Sequence, residues 1–457
     1  MSHLSFLPSR LILPAVLATL LVACGSSPAD PAQQGDPSPA ASAPAAPAKG
    51  DNPEALGFHI EGARAWTLIG NEVTKGHDAL ELKVTAPEGT RYVDLWLDDA
   101  AGVRLEREGG TFLGQVDLRK VEAGEHRILL AADGAGEAFA ELVFQRSQPL
   151  YVSMTNDWDD PDNGDDKLAL QESLHAEHPE LVITHFVGPY TFTDPGVTAE
   201  RAELLSSWAR KMSEDHGDEI GMHIHPWCSF VESAGIECRH EPSFAYKNGG
   251  ADGDTSGYTV VLGAYSRVEM ETLLDRGLEL FEEHGLGRPT AFRAGGWTVQ
   301  IHTLEALAAK GFVADGSPAN WRRLEEWEGY PGALLYDWVK EHWITINDTS
   351  QPYYPSETDI LESSEPTVPV LEVPDNGLLV DYVTGQEMIE VFEKNWDGAA
   401  LVVPRVVSIG YHPPNFSSSY KSRLHTALTH YEQYLASQDK GPVVYVRMSD
   451  LAKVFER

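Results

Sequence analysis

The sequence predicts an α/β protein whose larger part is a parallel barrel, preceded by a small all-β sandwich. Two observations predict this. Residues 53–148 alternate polar and apolar side chains with a period of two, between turns rich in Gly, Pro and Asp. Residues 149–457 alternate continuous apolar stretches with amphipathic helical ones, which is typical of parallel strands joined by helices. We therefore expect a domain boundary at 148/149.

The composition is that of a globular protein with a strongly acidic surface. Of the 457 residues, 42% are apolar, which is ordinary for a folded chain of two or three domains. Lys and Arg total 34 against 70 Asp and Glu, a net charge of −36. Because such a surface repels phosphate backbones, we expect no nucleic-acid partner. The charge also disfavours strongly anionic glycans and tolerates neutral or cationic ones.

Residues 1–23 resemble a bacterial lipoprotein signal peptide. Arg10 precedes an apolar run at 11–23, which is shorter than the roughly 20 residues that span a bilayer. The run ends in LVACG (21–25), which is similar to a lipobox and implies cleavage before Cys24 and lipidation of its thiol. We expect a protein anchored to the membrane of the bacterial cell envelope, most simply the outer membrane. The alternative is an ordinary secretory signal.

A disordered tether and a small sandwich are expected to follow. Residues 24–52 are rich in Pro, Ala and Ser and have almost no large apolar side chains, so they cannot offset the entropy of ordering. Alternating stretches at 80–84, 92–97 and 137–144 predict antiparallel strands. The stretch 124–134 resembles bacterial immunoglobulin-like modules. We find no catalytic motif in this part and expect a spacer or an accessory contact surface.

The α/β part is predicted from the alternation of strands and helices. Residues 150–155 and 180–187 are buried strands by their continuous apolar character. Amphipathic helices are expected at 199–215, 268–284 and 302–310. In such folds the chemistry lies at the carboxyl ends of the strands.

Two strand ends carry candidate metal ligands. TNDWDD (155–160) follows the first strand, and with a period of two Asp157 and Asp159 point the same way. In HIHPW (223–227), His223 and His225 share one face. Two imidazoles and one carboxylate leave open positions on Zn²⁺, as a hydrolytic metal requires. Taken alone, the first motif is also typical of a solvated acidic turn.

Two further strand ends carry a candidate positioning residue and a candidate acid. In AFRAGGW (291–297), Arg293 can orient a carboxylate through both of its terminal nitrogens, and the glycines permit close approach of the backbone. SIGYHP (408–413) supplies His412 as a candidate general acid. Taken singly, Arg293 is typical of a surface residue beside a tight turn, and His412 of a structural histidine.

In this order, the four motifs resemble those of the polysaccharide deacetylases, carbohydrate esterase family 4 with the NodB homology domain. The resemblance runs from about 149 to 430 and includes ITHFVG (183–188) and GFVADGS (311–317). It implies an irregular (β/α) barrel and a metal-dependent hydrolase that removes N- or O-acetyl groups from glycans. The implied cofactor is one divalent metal ion, Zn²⁺ before others, and the implied partner is a glycan substrate.

The resemblance gives each matching residue a role. Asp157 matches the base that takes a proton from the attacking water. Asp159, His223 and His225 match the metal ligands. Whether Asp157, Asp159 or Asp160 binds the metal stays open, and Asp159 is preferred because Asp157 occupies the base position directly after the strand.

Arg293 matches the residue that holds the base, and His412 matches the acid that protonates the leaving amine or alkoxide. The motifs depart from the usual pattern in three places. Trp158 separates the two acidic residues, the histidines are two rather than four apart, and the Arg motif continues Ala-Gly-Gly-Trp rather than Pro-Tyr-Gly. These departures indicate a divergent branch and leave the glycan undefined.

Two alternatives to a deacetylase remain open. One is a glycan-binding envelope lipoprotein without turnover, and the other is a metal amidohydrolase that acts on a non-glycan C–N bond. Cys228 and Cys238 are expected to form a disulfide in an oxidising envelope, with two buried free thiols as the alternative. Four tryptophans are expected in core or loop packing, with sugar-stacking platforms as the alternative: Trp321, Trp327, Trp338 and Trp343.

Overall fold

Two β-sheets packed face to face form the first part of the described chain. The computed structural model describes residues 53–98, 100, 102–329 and 334–455, so the predicted signal peptide, Cys24 and the tether lie outside the described residues. The strands here are β1 (His59–Glu61), β2 (Trp66–Leu68), β3 (Ala79–Thr85), β4 (Val93–Leu97), β5 (Val103–Arg104), β6 (Glu106–Glu108), β7 (Thr111–Asp117), β8 (Gly124–Ala132) and β9 (Ala140–Ser147). They form sheets of order β1-β3-β7-β6 and β2-β9-β8-β4-β5.

One apolar core lies between these two sheets. Burial alternates along β3 with a period of two, so Leu80, Leu82 and Val84 face inward. They share a core with Phe112 of β7 and Ile128 of β8, which belong to different sheets. The last predicted strand begins at Ala140 rather than at 137. The immunoglobulin-like topology and the boundary at 148/149 stay predictions.

A parallel sheet dominates the rest of the described chain. Its strands are β10 (Leu150–Asp157), β11 (Ile183–Val187), β12 (Glu219–Ile224), β13 (Ala291–Ala294), β14 (Ala314–Asp315), β15 (Leu371–Glu372), β16 (Arg405–Tyr411) and β17 (Val443–Tyr445). The order is β15-β14-β13-β12-β11-β10-β16, and β17 pairs with the first residues of β10. The strand expected at 180–187 begins only at Ile183, because a turn closed by Leu181 N–H and His178 C=O (3.0 Å) precedes it.

The sheet curls until the segment after β15 meets β16. Gly377 N–H donates to the carbonyl of Ser408 (2.9 Å), and Val380 N–H donates to that of Gly410 (2.8 Å). This curled mixed α/β architecture is consistent with the expected irregular barrel. The motif-bearing strands β13, β12, β10 and β16 end on the same side of the sheet, because all of its pairs are parallel.

Eight helices accompany this sheet within the described residues: α1 (Asp165–Glu177), α2 (Ala199–His216), α3 (Cys228–Ser233), α4 (Arg267–Glu283), α5 (Ile301–Lys310), α6 (Leu335–His342), α7 (Gly385–Asn395) and α8 (Ser418–Tyr431). The three helices expected from the sequence, α2, α4 and α5, are confirmed to within one residue at each end. Their ends have local causes: Ser266 and Glu269 form a capping box at the start of α4, and Gly217 ends α2 with a φ of 76°. None of the helices in the described ranges is both long and apolar enough to cross a bilayer.

The segment that carries β1 to β9 contacts the start of β10, far from the carboxyl end of that strand. Tyr151 is fully buried, and its hydroxyl bonds with the side chains of Asn71 (2.7 Å) and Thr74 (2.9 Å). Val73 packs against the apolar cluster that includes Tyr151. Asp157 lies six residues further along the strand, a span of roughly 20 Å. The first part of the chain therefore contributes to packing at the opposite end of the barrel from the predicted site.

Candidate active site

All six residues predicted from the four motifs meet at one end of the parallel sheet. Asp157 ends β10 and Asp159 follows it, His223 and His225 stand at the end of β12, and these four line a single small cavity. His412 lines the same cavity from the end of β16. Arg293 of β13 is fully buried, and its Nη1 lies 3.1 Å from Oδ1 of Asp157.

Asp159, His223 and His225 form a compact cluster, here called the His–Asp cluster. Oδ1 of Asp159 lies 3.1 Å from Nε2 of His223 and 3.4 Å from Nε2 of His225. One ligand atom from each of the three lies within 4.8 Å of the others. The expectation that Asp159 accompanies the histidines agrees with this geometry, whereas Asp157 contacts Arg293 and Asp160 is exposed.

The hydrogen bonds of the two histidines make this cluster suitable for a divalent metal ion. Nδ1 of His223 contacts the carbonyl of Arg293 (2.9 Å), and Nδ1 of His225 contacts that of Tyr258 (2.8 Å). Because a carbonyl can only accept, each Nδ1 carries the proton and each neutral ring presents the lone pair of Nε2. Two such lone pairs facing a carboxylate oxygen are the donor set that Zn²⁺ and similar ions prefer, with a further position left open.

The turn after β13 lets the backbone approach this cluster. A side chain at Gly295 would place its Cβ 2.4 Å from Nδ1 of His225, so only glycine fits there. Gly296 and Trp297 both have positive φ values, 59° and 56°. The Gly-Gly-Trp sequence therefore forms a tight turn against His225, and Gly296 also lines the cavity.

Arg293 positions Asp157 through one nitrogen. Nη1 of Arg293 donates to both oxygens of Asp157, at 3.1 and 3.3 Å, and to Oγ1 of Thr155 at 2.8 Å. The expected contact through both terminal nitrogens is wrong, because Nη2 instead lies 3.5 Å from Oδ2 of Asp375. Burial disfavours the charge on Arg293, but Asp157 and Asp375 outweigh it and raise its pKa. A permanently charged guanidinium thus fixes Asp157 beside the cavity.

His412 is paired with a carboxylate that the motifs did not identify. Nδ1 of His412 lies 3.1 Å from Oδ2 of Asp381, and Nε2 lies 3.7 Å from Oδ2 of Asp159. Burial disfavours the charged imidazole, but Asp159 and Asp381 outweigh it and raise the pKa of His412 to about 10. This histidine is therefore protonated at neutral pH and can donate from Nε2 toward the cavity.

Tyr258 is a second residue that the sequence did not reveal. Its hydroxyl donates to Oδ2 of Asp159 at 2.7 Å, and its ring stacks on His225 with centroids 4.2 Å apart. It comes from a long loop after α3, and no motif marks it. Asp381 follows the apolar run 378–380, and an acidic residue directly after such a run was the available signal.

Aromatic and aliphatic side chains close the cavity around these polar groups. Besides the motif residues, its lining comprises Phe244, Tyr258, Ala294, Gly296, Trp297, Leu335 and Tyr382. Leu334 N–H donates to the carbonyl of Ala245 at 3.0 Å, which ties the loop after α3 to the start of α6. The cavity measures about 40 Å³, room for about three water-sized groups.

The remaining predictions about nearby residues are resolved by burial. Trp321 and Trp343 are buried in the core and Trp327 and Trp338 pack against it, so core packing is confirmed for all four. Cys228 and Cys238 form the expected disulfide, which links the start of α3 to the loop after it, the loop that also carries Tyr258.

No protein-family model matches the sequence, and no curated protein matches it. Among solved structures, the chain is similar to a protein from Mycobacterium smegmatis assigned as a polysaccharide deacetylase (17% identity, 67% of this chain and 90% of that one, TM-score 0.35). It is also similar to a family 4 carbohydrate esterase from Streptomyces lividans (11%, 65% and 92%, TM-score 0.32). A third neighbour is a 4-alpha-glucanotransferase from Thermococcus litoralis (10%, 67% and 40%, TM-score 0.38).

Two of these three neighbours have the descriptions expected from the motifs. All three TM-scores lie below 0.5, so function is inferred below from the geometry of the site.

Proposed function

We propose that this protein is a metal-dependent hydrolase that removes acetyl groups from a glycan of the cell envelope or its surroundings. The observation that supports it most is the meeting, around one small cavity, of three groups of different chemistry. These are the His–Asp cluster, a carboxylate fixed by a buried arginine, and a histidine paired with Asp381. A Lewis acid, a base and an acid around one cavity can together hydrolyse an acyl group.

The residues divide the reaction as follows. Asp157 accepts the proton of the attacking water, and Arg293 holds both of its oxygens beside the cavity. His412 protonates the leaving amine or alkoxide from Nε2, and Asp381 keeps the ring oriented through Nδ1. The His–Asp cluster would hold a divalent ion, Zn²⁺ being the best match to its ligands, and such an ion acidifies water and polarises a carbonyl oxygen.

The size of the cavity favours a small acyl group. Its volume of about 40 Å³ suits an acetyl group and one water, whereas a sugar ring has to remain outside the aromatic rim. The net charge of −36 favours a neutral or amine-bearing glycan over an anionic one. The predicted lipid anchor on Cys24 would hold the enzyme at the bacterial envelope, where such glycans occur.

Removal of the two histidines tests the metal dependence. His223→Ala combined with His225→Ala should lose the ion of this cluster and all acetate release from acetylated oligosaccharides, because Asp159 alone is a weak site. Metal content by atomic absorption and released acetate are measured together. A double variant that releases acetate like the parent would overturn the proposed function. A parent that binds sugar and metal without turnover would instead indicate a binding protein or an amidohydrolase.

A further inference from the structure

A second group of metal-ligating side chains lies where the end of α1 meets α8, here called the α1–α8 cluster. Glu177 is the last residue of α1, His178 directly follows it, and His425 lies on α8. Nε2 of His178 is 3.1 Å from Nδ1 of His425, which is 3.4 Å from Oε2 of Glu177. One ligand atom from each lies within 4.8 Å of the others, as in the His–Asp cluster.

A neighbouring carboxylate fixes the tautomer of His178. Oε1 of Glu432 lies 2.8 Å from Nδ1 of His178, and an ionised carboxylate can only accept. The proton of a neutral His178 is therefore on Nδ1, and the lone pair of Nε2 is directed at Nδ1 of His425, 3.1 Å away. A histidine that donates its remote N–H to a carboxylate and presents its other nitrogen is the usual arrangement of a metal ligand. His178 is 1% exposed and has little freedom to turn away.

Glu177 keeps one carboxylate oxygen available to a cation. Oε1 of Glu177 bonds to the ammonium of Lys421 at 2.5 Å, which leaves Oε2 directed at His425. Glu177 and His425 are about half exposed, so water can complete the coordination of an ion held by three protein ligands.

We propose that Glu177, His178 and His425 form a second metal site, which binds a transition-metal dication such as Zn²⁺ between α1 and α8. On binding, the neutral ring of His425 moves its proton from Nδ1 to Nε2 by exchange with solvent, and the lone pair of Nδ1 joins that of Nε2 of His178. The ion then links two helices that flank the strands carrying the catalytic groups, α1 after β10 and α8 after β16. Its role is structural, and the site is independent of the proposed hydrolysis.

The number of Zn²⁺ ions bound per chain tests this proposal. The full chain is titrated with Zn²⁺ against a chromophoric chelator, as the parent, as His425→Ala and as His430→Ala. His430 lies on the same helix outside the cluster and gives a matched control. The parent and the control should bind two ions, and His425→Ala should bind one. Because His425 is half exposed, its truncation should leave the fold unchanged, which circular dichroism checks.

The double variant His223→Ala, His225→Ala separates this site from the catalytic one. It should keep one ion, and adding His425→Ala should remove that ion as well. If the parent binds one Zn²⁺ and the double variant binds none, the second site is overturned. Two Zn²⁺ ions bound by His425→Ala would overturn it as well. One equivalent that survives the double variant and is lost in His425→Ala would support the second site and reject the His–Asp cluster. Glu432→Gln should weaken the binding of the second ion by about 10- to 100-fold.

Discussion

Tyr258 donates a hydrogen bond to Oδ2 of Asp159, the oxygen that does not contact the two histidines of the cluster. Such a bond orients a ligating carboxylate, so we expect Tyr258→Phe to weaken Zn²⁺ binding at this cluster by about 10- to 100-fold. Competition with a chelator measures it. Tyr246→Phe, at an exposed tyrosine of the same loop, is the control. Unchanged zinc affinity in Tyr258→Phe would show that the phenol does not position Asp159.

Asp381 acts through His412, and its removal should change the pH dependence of the reaction. The carboxylate raises the pKa of His412, so this imidazole stays protonated until the pH rises through that pKa. In Asp381→Asn the pKa falls, and the alkaline limb of the pH–rate profile should move to lower pH. We also expect kcat to fall by about tenfold or more, since a general acid supplies about 10²- to 10⁴-fold. A lower kcat with an unshifted profile would contradict this role.

Sequence reasoning finds the site residues that stand at strand ends. Asp157, His223 and Arg293 could be placed together because parallel strands bring their carboxyl ends to one edge. Tyr258 and Asp381 come from segments without regular structure, and no local periodicity fixes where such segments pass. For the same reason, the sequence does not reveal that Asp375 lies beside Nη2 of Arg293. Arg293 therefore contacts Asp157 through Nη1 alone.

At the scale of elements, β14 and β15 bring two carboxyl groups together in the core. Asp315 and Glu372 are partners in the ladder, and both are fully buried. Burial and then the neighbouring Asp315 raise the pKa of Glu372 well above its usual range, and burial raises the pKa of Asp315 to about 6. The pair therefore holds a proton in the folded state that the unfolded chain releases at lower pH.

This pair should make the protein less stable as the pH rises. Folded-state pKa values above the unfolded ones give a contribution that is complete below about pH 4 and is lost as the pH rises through about 6 and beyond. Glu372→Gln removes one charge, so its free energy of unfolding should fall less between pH 5 and 8, by up to about 3 kcal/mol. Urea titrations measure this, with exposed Glu362→Gln as the control. Parallel curves for Glu372→Gln and parent would contradict it.

The helices were predicted more closely than the short strands. In α4 the apolar periodicity and the Ser266–Glu269 capping box both appear in the sequence, so its bounds follow from local interactions. β14 and β15 have two residues each and exist because neighbouring strands supply their hydrogen bonds. Their positions depend on the curl of the whole sheet, which no local pattern encodes.

At the scale of the molecule, the segment that carries β1 to β9 packs against the parallel sheet at the end opposite the site. Without residues 53–148, the buried hydroxyl of Tyr151 loses both Asn71 and Thr74, and apolar surface around it becomes exposed. We expect residues 149–457 alone to unfold at a lower temperature than residues 53–457, because lost hydrogen bonds and packing each cost about 1–3 kcal/mol. Differential scanning calorimetry compares them.

Deletion of residues 24–52 provides the control for that comparison. Its composition predicts a tether without packing, so the chain from 53 onward should unfold at the same temperature as the chain from 24 onward. Equal unfolding temperatures for 149–457 and 53–457 would instead make the first part of the chain an independent spacer.

Acetate release from a panel of acetylated oligosaccharides tests the proposed chemistry most directly. The zinc-loaded parent, Asp157→Asn and Asp160→Asn are compared, and zinc content is measured beside activity. The exposed Asp160 is the matched control for its neighbour in the motif. We predict that the parent and Asp160→Asn release acetate, and that Asp157→Asn keeps its zinc and loses about 10²- to 10⁴-fold in rate. Equal rates for Asp157→Asn and the parent, or no acetate from a zinc-bound parent, would contradict a deacetylase with Asp157 as its base.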